Sequence, residues 1–318
     1  MNIRKLAEEI IDGRRLTRKD DLSFFADADL TELCGAANHI RESLCGNQID
    51  LCSIINGRSG RCSENCKFCA QSAWNKTDIE EYSFLDFETI VEDCKKHADK
   101  GVHRYSIVTA GRDLEGEDLK KACDAYKKMS TESHISLCAS HGLLTRDAFL
   151  ALKESGVSRY HENIETSKRN FPAVCSSHTY EDKIRSIRLA QSLGFDVCSG
   201  GIIGMGETFE DRLDMGLSLS ELGIKSIPVN VLMPIKGTPF ENIPPLTEED
   251  IIRTIAMFRF LNPIAAIRLA AGRSLMENSG KNAFLSGANA TITGDLLTTS
   301  GNNIDEDKEM LTSLGFRI

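Results

Sequence analysis

Cys62, Cys66 and Cys69 stand in the run Gly60-Arg61-Cys62-Ser63-Glu64-Asn65-Cys66-Lys67-Phe68-Cys69-Ala70-Gln71-Ser72, three thiols at C-x3-C-x2-C spacing with no fourth cysteine close by. A cubane iron-sulfur cluster usually takes four protein thiolates, so three would leave one iron open to the donor atoms of a substrate or cofactor. Electron transfer alone does not require an open iron. The same thiols also suit part of a zinc site, which would draw further ligands from elsewhere among the eleven cysteines of the chain. Spacing alone leaves both readings open.

Other polar residues recur at period two, the spacing that keeps side chains on one face of a strand. His161, Asn163 and Glu165 share such a face, as do Ser136, Cys138 and Ser140, while Glu162 falls on the opposite one. Unpaired polar groups are costly to bury, so a row of donors and acceptors inside a barrel suggests a bound polar ligand, the alternative being a water-filled or self-satisfied polar core. The run Gly200-Gly201-Ile202-Ile203-Gly204-Met205-Gly206-Glu207 is expected to let backbone approach that ligand closely.

The elements that must position these residues read as parallel βα units, short β-rich runs alternating with longer amphipathic stretches. Strands are expected at residues 49–55, 102–109, 134–140, 157–164, 196–203, 226–232, 265–269 and 289–293, and a helix at 86–100. Eight such units give a (β/α)8 TIM-type barrel, an α/β fold whose site lies in the loops after the strands. The cysteine loop follows the first strand and so sits at that mouth. Residues 1–45 read as an N-terminal helical extension and 46–318 as the barrel with a C-terminal segment. Cys94 and Cys123 lie in helical patterns as buried structural thiols, and Cys34, Cys45 and Cys175 read as incidental.

With 47 acidic against 38 basic residues among 318, the net charge is −9, and no Lys/Arg-rich block marks a nucleic-acid face. The N-terminus has no apolar leader, and no apolar run approaches the roughly 20 residues of a membrane span. A cytoplasmic chain without nucleic-acid or membrane partners is expected, its cysteines serving metal or redox chemistry rather than disulfides.

The cysteine spacing, with Phe68 before the last thiol, resembles the radical S-adenosyl-L-methionine (SAM) superfamily. Within it, residues from about Leu51 to Phe316 resemble the biotin synthases. The likeness is carried by the cysteine loop, Asn163-Ile164-Glu165-Thr166-Ser167, Val197-Cys198-Ser199-Gly200-Gly201-Ile202, Val229-Asn230, Lys236-Gly237-Thr238-Pro239, Arg268-Leu269-Ala270-Ala271-Gly272-Arg273, and Ser286-Gly287-Ala288-Asn289 through Thr298-Thr299. The resemblance implies a 4Fe–4S cluster on Cys62, Cys66 and Cys69 whose open iron chelates SAM. It further implies sulfur insertion into dethiobiotin, a flavodoxin or ferredoxin as electron donor, iron-sulfur assembly proteins as partners, and a homodimer. Glu165 would meet the SAM ribose and Lys183 its carboxylate, beside Gly200 and Gly201, while His161, Asn163 and Asn230 would hold the ureido ring.

An auxiliary iron-sulfur cluster, 2Fe–2S in the usual family pattern, takes cysteines on strands two, three and five and an arginine on strand seven. Here Cys138, Cys198 and Arg268 keep their places, but Ser106 stands where the strand-two cysteine would be. Cys52, inward on the first strand with Ile54 and Asn56, is a candidate replacement. Three thiolates fit a four-iron cluster carrying an extra sulfide better than a two-iron one. The alternatives are a small-molecule radical SAM enzyme of the hydrogenase-maturase or methylornithine-synthase kind, and a non-catalytic zinc or cluster scaffold.

Overall fold

The computed structural model describes residues 2–297 and 301–318, so Thr298 and Thr299 of the last family-like segment lie outside the described residues. Nine parallel strands run in chain order: β1 (Asp50–Arg58), β2 (Arg104–Thr109), β3 (Ser136–Ser140), β4 (Arg159–His161), β5 (Asp196–Cys198), β6 (Gly201–Ile203), β7 (Ser226–Val231), β8 (Ala266–Leu269) and β9 (Ala290–Ile292). The sheet order is β5-β4-β3-β2-β1-β9-β8-β7-β6, and a β5–β7 pairing closes it. Because β5 and β6 are two halves of one stave, the barrel has eight staves, as the alternating pattern implied.

The expected fifth strand, 196–203, is interrupted at Ser199-Gly200 for a steric reason. A Cβ on Gly200 would lie 1.9 Å from the Pro228 carbonyl oxygen, and one on Gly201 would lie 2.3 Å from that of Glu165. These glycines permit a close approach between strands, of Gly200 to the Pro228 carbonyl and of Gly201 to that of Glu165. β4 is also shorter than expected. Beyond His161 the chain leaves the ladder, and Asn163 and Glu165 sit in the loop above it.

Outward side chains such as Tyr105, Ile107, Tyr160, Ile227 and Ile267 are fully buried against the helix layer. Those helices begin where caps can satisfy their free N–H groups. Asp86 accepts from Thr89 at the start of Phe87–Asp99, and Thr179/Asp182 and Thr208/Asp211 form capping boxes at Tyr180–Ser192 and Phe209–Glu221. Ile3–Ile11 buries Ile3, Leu6, Ala7 and Ile10 and packs on Leu30–Cys45, which in turn packs against the barrel helix Glu248–Leu261. No helix among the described residues is long and apolar enough to cross a membrane.

The C-terminal helix Ile304–Ser313 is fastened to the loop after β8 by a buried bidentate pair. Arg273 donates from Nη2 to Asp307 Oδ1 at 2.8 Å and from Nη1 to Oδ2 at 2.9 Å. Arg273 also bonds Ser279 O and Thr291 Oγ1, which fix its guanidinium toward the helix. Asp307→Asn would strand a buried guanidinium, and the expected loss is about 3–5 kcal/mol. A urea midpoint lowered by less than that amount implies would show the pair to be dispensable.

Candidate active site

A cavity of about 360 Å3 occupies the barrel interior and reaches the cysteine loop. Its lining includes Cys52 from β1, Ser106 from β2, Cys138 from β3, His161 from β4, Cys198 from β5, Asn230 from β7 and Arg268 from β8, with Asn163, Glu165 and Cys69 above. Of the period-two faces read from sequence, Cys138, Ser140, His161, Asn163 and Glu165 line this one space, while Ser136 is exposed. Glu162 points outward, where its carboxylate accepts from Lys183 Nζ at 2.5 Å.

At the mouth, the cysteine loop is shaped by its own backbone and one side-chain amide. Cys69 N donates to Cys66 O at 3.2 Å, and Asn75 Nδ2 donates to the carbonyls of Cys66 at 3.2 Å and Cys69 at 2.8 Å. Burial, with the nearby Cys62 and Glu165 charges, pushes the Cys69 thiol up to about 11. Cys66 is also pushed up, first by a hydrogen bond to Cys175 and then by burial. A metal that replaces their protons removes that cost.

Glu165 adopts a left-handed conformation, φ +67°, uncommon for a residue with a Cβ. Two backbone bonds hold it, Glu165 N to Gly200 O at 3.2 Å and Ile202 N to Glu165 O at 2.8 Å, and they leave the carboxylate in the cavity. Burial raises its pKa, partly offset by Lys183 and His161. Lys183 itself is partly buried and already committed to Glu162, although two of its three donors remain.

The two asparagines are anchored in the same manner. Asn163 Oδ1 accepts from Gly200 N at 3.0 Å and its Nδ2 donates to Glu165 at 3.3 Å. Asn230 Nδ2 donates to Gly201 O at 3.2 Å and its Oδ1 accepts from Ala271 N at 3.2 Å. Each amide therefore keeps one donor and one lone pair for the cavity. A cyclic urea, with N–H donors flanking a carbonyl, matches that pair.

Deeper in the barrel, Cys52, Cys138 and Cys198 face a layer of charge. Arg268 Nη2 donates to Asp50 Oδ2 at 2.7 Å; Arg104 Nε lies 3.4 Å and Arg159 Nη1 3.8 Å from the same oxygen. Arg159 Nε also donates to Asp196 Oδ2 at 2.8 Å, so two carboxylates face three guanidiniums and one positive charge stays in excess beneath the thiols. Burial pushes Cys52 up to about 11 and, with the neighbouring thiols, Cys138 to about 12. At Cys198 burial is outweighed by a hydrogen bond from His161 and by the charges of Arg268 and Arg159, giving about 7. His161 is paired in register with Cys198, so it stands on the thiol side of the cavity. Among the described residues, Ser106 Oγ and Arg159 Nη1 are buried donors without hydrogen-bond partners, and both line this space. Orphaned donors, surplus positive charge and three thiols together fit an anionic iron-sulfur cluster.

Residues 58–219 match the radical SAM superfamily, and residues 228–317 match the biotin and thiamin synthesis associated domain. A biotin synthase of Alkaliphilus metalliredigens is 72% identical over 318 residues, 100% of both chains, and one of Clostridium beijerinckii is 63% identical over 99% of each. The chain belongs to the biotin synthase family.

Biotin synthase relatives of this identity carry more weight than solved structures of similar shape. A methylornithine synthase superposes with TM-score 0.85 at 21% identity, over 98% of this chain and 96% of the other. The hydrogenase maturase of Carboxydothermus hydrogenoformans gives 0.82 at 18%, over 99% and 78%. At those identities the likeness shows the barrel alone. Membership of a radical SAM family brings a 4Fe–4S cluster and SAM, and the three-cysteine loop suits them.

Several members of this biotin synthase site escaped the sequence reading. Asp50, Arg104 and Arg159 were not singled out, although Arg104 precedes Ser106 by two residues and Arg159 precedes His161 by two, the inward parity already in use. Cys175, read as incidental, lies 3.7 Å from Cys66, and no local pattern links residues 109 positions apart. His141, after β3, is buried between Thr109 Oγ1 at 2.9 Å and Tyr126 OH at 3.3 Å.

Burial, with a smaller contribution from Arg58, lowers the His141 pKa from 6.5 to about 3. Between those values the unfolded chain takes up a proton that the native ring refuses. Its contribution is therefore intact above pH 6.5 and declines on acidification toward pH 3, by about 2 kcal/mol at pH 5. His141→Gln is expected to flatten that part of the stability–pH curve. An unchanged slope between pH 7 and 5 would refute the assignment.

Proposed function

We propose that this chain inserts sulfur into dethiobiotin to form biotin, with Cys62, Cys66 and Cys69 holding the SAM-binding cluster and Cys52, Cys138 and Cys198 an auxiliary one. The observation that carries the reading is the Asn163/Asn230 pair, which offers the complement of a cyclic urea within a cavity that also holds the deeper thiols. When bound, the reduced 4Fe–4S cluster and SAM supply a 5′-deoxyadenosyl radical that takes hydrogen from the substrate, and the auxiliary cluster supplies the sulfur.

The protein's part is placement and exclusion. Glu165 offers carboxylate oxygens to ribose hydroxyls, and Lys183 turns its remaining donors toward the amino-acid end of SAM while Glu162 fixes its position. Gly200 and Gly201 act by letting β5/β6 close on β7 and on the Glu165 backbone, which brings both asparagines into the cavity. His161, in register with Cys198, borders the ureido pocket from the thiol side. Arg268 stays bonded to Asp50, as a cation beneath the cluster rather than a free ligand. Apolar walls from Phe68, Ile202, Ile235 and Leu296 exclude water and stray hydrogen donors from the radical.

With Cys52 in place of a strand-two cysteine, the auxiliary cluster is a four-iron one with an additional sulfide. A flavodoxin or ferredoxin as donor, iron-sulfur assembly proteins as suppliers, a homodimeric state and a cytoplasmic setting complete the proposal. So does the division into a helical extension, 1–45, and a barrel with its C-terminal segment, 46–318. Anaerobic turnover of the reconstituted chain with dethiobiotin, SAM and a low-potential reductant tests the reaction. Biotin together with 5′-deoxyadenosine is expected, and 5′-deoxyadenosine without biotin would refute it.

A further inference from the structure

The cysteine loop is stitched to a second segment that the proposed reaction does not use. Asn65 Oδ1 accepts from Ser176 N at 2.9 Å and Ser177 N at 3.0 Å, Asn65 N donates to Ser177 Oγ at 3.0 Å, and Lys67 N donates to Val174 O at 3.0 Å. These bonds bring Cys175 Sγ to 3.7 Å from Cys66 Sγ and 3.4 Å from His178 Nδ1. The three ligand atoms lie within 4.8 Å of one another, and Cys175 and His178 are buried.

Those separations match a metal centre. Two thiolates on one tetrahedral ion, each at about 2.3 Å, stand about 3.8 Å apart, and a thiolate and an imidazole nitrogen at about 2.0–2.1 Å stand about 3.5 Å apart. Thiolates on different irons of one cubane are much further apart, so Cys175 does not complete the cluster that Cys66 helps to hold. A carboxylate is also at hand. Glu64 Oε2 contacts His178 Nδ1 and accepts from Ser177 Oγ at 2.7 Å, within reach of the fourth position.

We propose that Cys66, Cys175 and His178 bind one thiophilic divalent ion in the cluster-free chain, and that in the cell this ion is ferrous iron captured as the Cys62/Cys66/Cys69 cluster is loaded. Binding releases two protons to solvent, one from the Cys66 thiol and one shared by Cys175 and His178, and leaves the iron ferrous, so no oxidant or reductant is consumed. Cys66 is the shared ligand. Handing it to the growing cluster frees Cys175 and His178, whereas zinc held there would occupy Cys66 and block assembly.

The test uses the full chain, anaerobic and cluster-free, with Cys52, Cys62, Cys69, Cys138 and Cys198 all replaced by alanine, and Co2+ as probe. One equivalent is expected to give tetrahedral visible bands and thiolate-to-cobalt charge transfer. Adding Cys175→Ala or His178→Gln should raise the Kd at least tenfold. A folded background, by circular dichroism, that shows no tetrahedral signal would overturn the site, as would a signal unchanged by Cys175→Ala. Where the five replacements unfold the chain, alkylation of the unaltered cluster-free sequence decides. One equivalent of Zn2+ should protect Cys66 and Cys175 together, and Cys175 labelled equally fast with and without zinc would overturn the proposal. Neither readout depends on biotin formation.

Discussion

Replacing Cys52 by serine is expected to reduce biotin formation at least about a hundredfold while 5′-deoxyadenosine release continues, because a lost ligand outweighs outer-shell changes that already cost about 10–100-fold in metal affinity. Only the auxiliary iron and sulfide should disappear from the anaerobically isolated protein. The replacement can also be compensated on geometric grounds. Ser106 is paired in register with Ile54 on one side and with Cys138 on the other, so a thiol at that position enters the same cavity beside Cys138. In the Cys52→Ser/Ser106→Cys chain, auxiliary iron should return, now with the Mössbauer signature of a two-iron cluster. Auxiliary iron and sulfide unchanged in Cys52→Ser would remove Cys52 from the ligand set. A double variant that regains a four-iron signature would show that ligand position does not set cluster size.

How far the sequence carried this site depends on what kind of contact each residue makes. Cys52, Cys138 and His161 were legible because strand alternation is strictly local: two residues apart along a strand means one face, whatever the rest of the chain does. The break between β5 and β6 was not, because it arises from Gly200 meeting the Pro228 carbonyl, a contact made only after the barrel closes. Lys183 was matched to a role by its place in the chain, but its ammonium goes first to Glu162, which parity had correctly turned outward. Cys175 marks the limit of this reasoning. Its partner Cys66 is fixed by the backbone bonds of Asn65, which no spacing rule anticipates.

Asp50→Asn is the variant that separates structural charge from cluster charge. In the native chain the carboxylate is held below its ordinary range, since burial, which would raise it, is outweighed by Arg268, Arg104 and Arg159. The amide would leave Arg268 and Arg104 without their acid, while Arg159 keeps Asp196, and the Arg268 side chain is only 2% exposed. Its backbone acceptors, Asp50 O at 3.1 Å and Thr291 O at 2.9 Å, satisfy donors but do not neutralise charge. Removing one partner of a buried pair costs about 3–5 kcal/mol, and the cluster-free protein should lose stability near the lower figure because Asp50 is partly exposed. The cluster-loaded protein should lose less than half as much, since an anionic cluster just above offsets the same guanidiniums. Urea unfolding of both forms measures the difference. Equal losses would mean that the arginine layer answers to Asp50 alone; a smaller loss with the cluster present would mean that the three arginines serve the thiol site as its counter-charge.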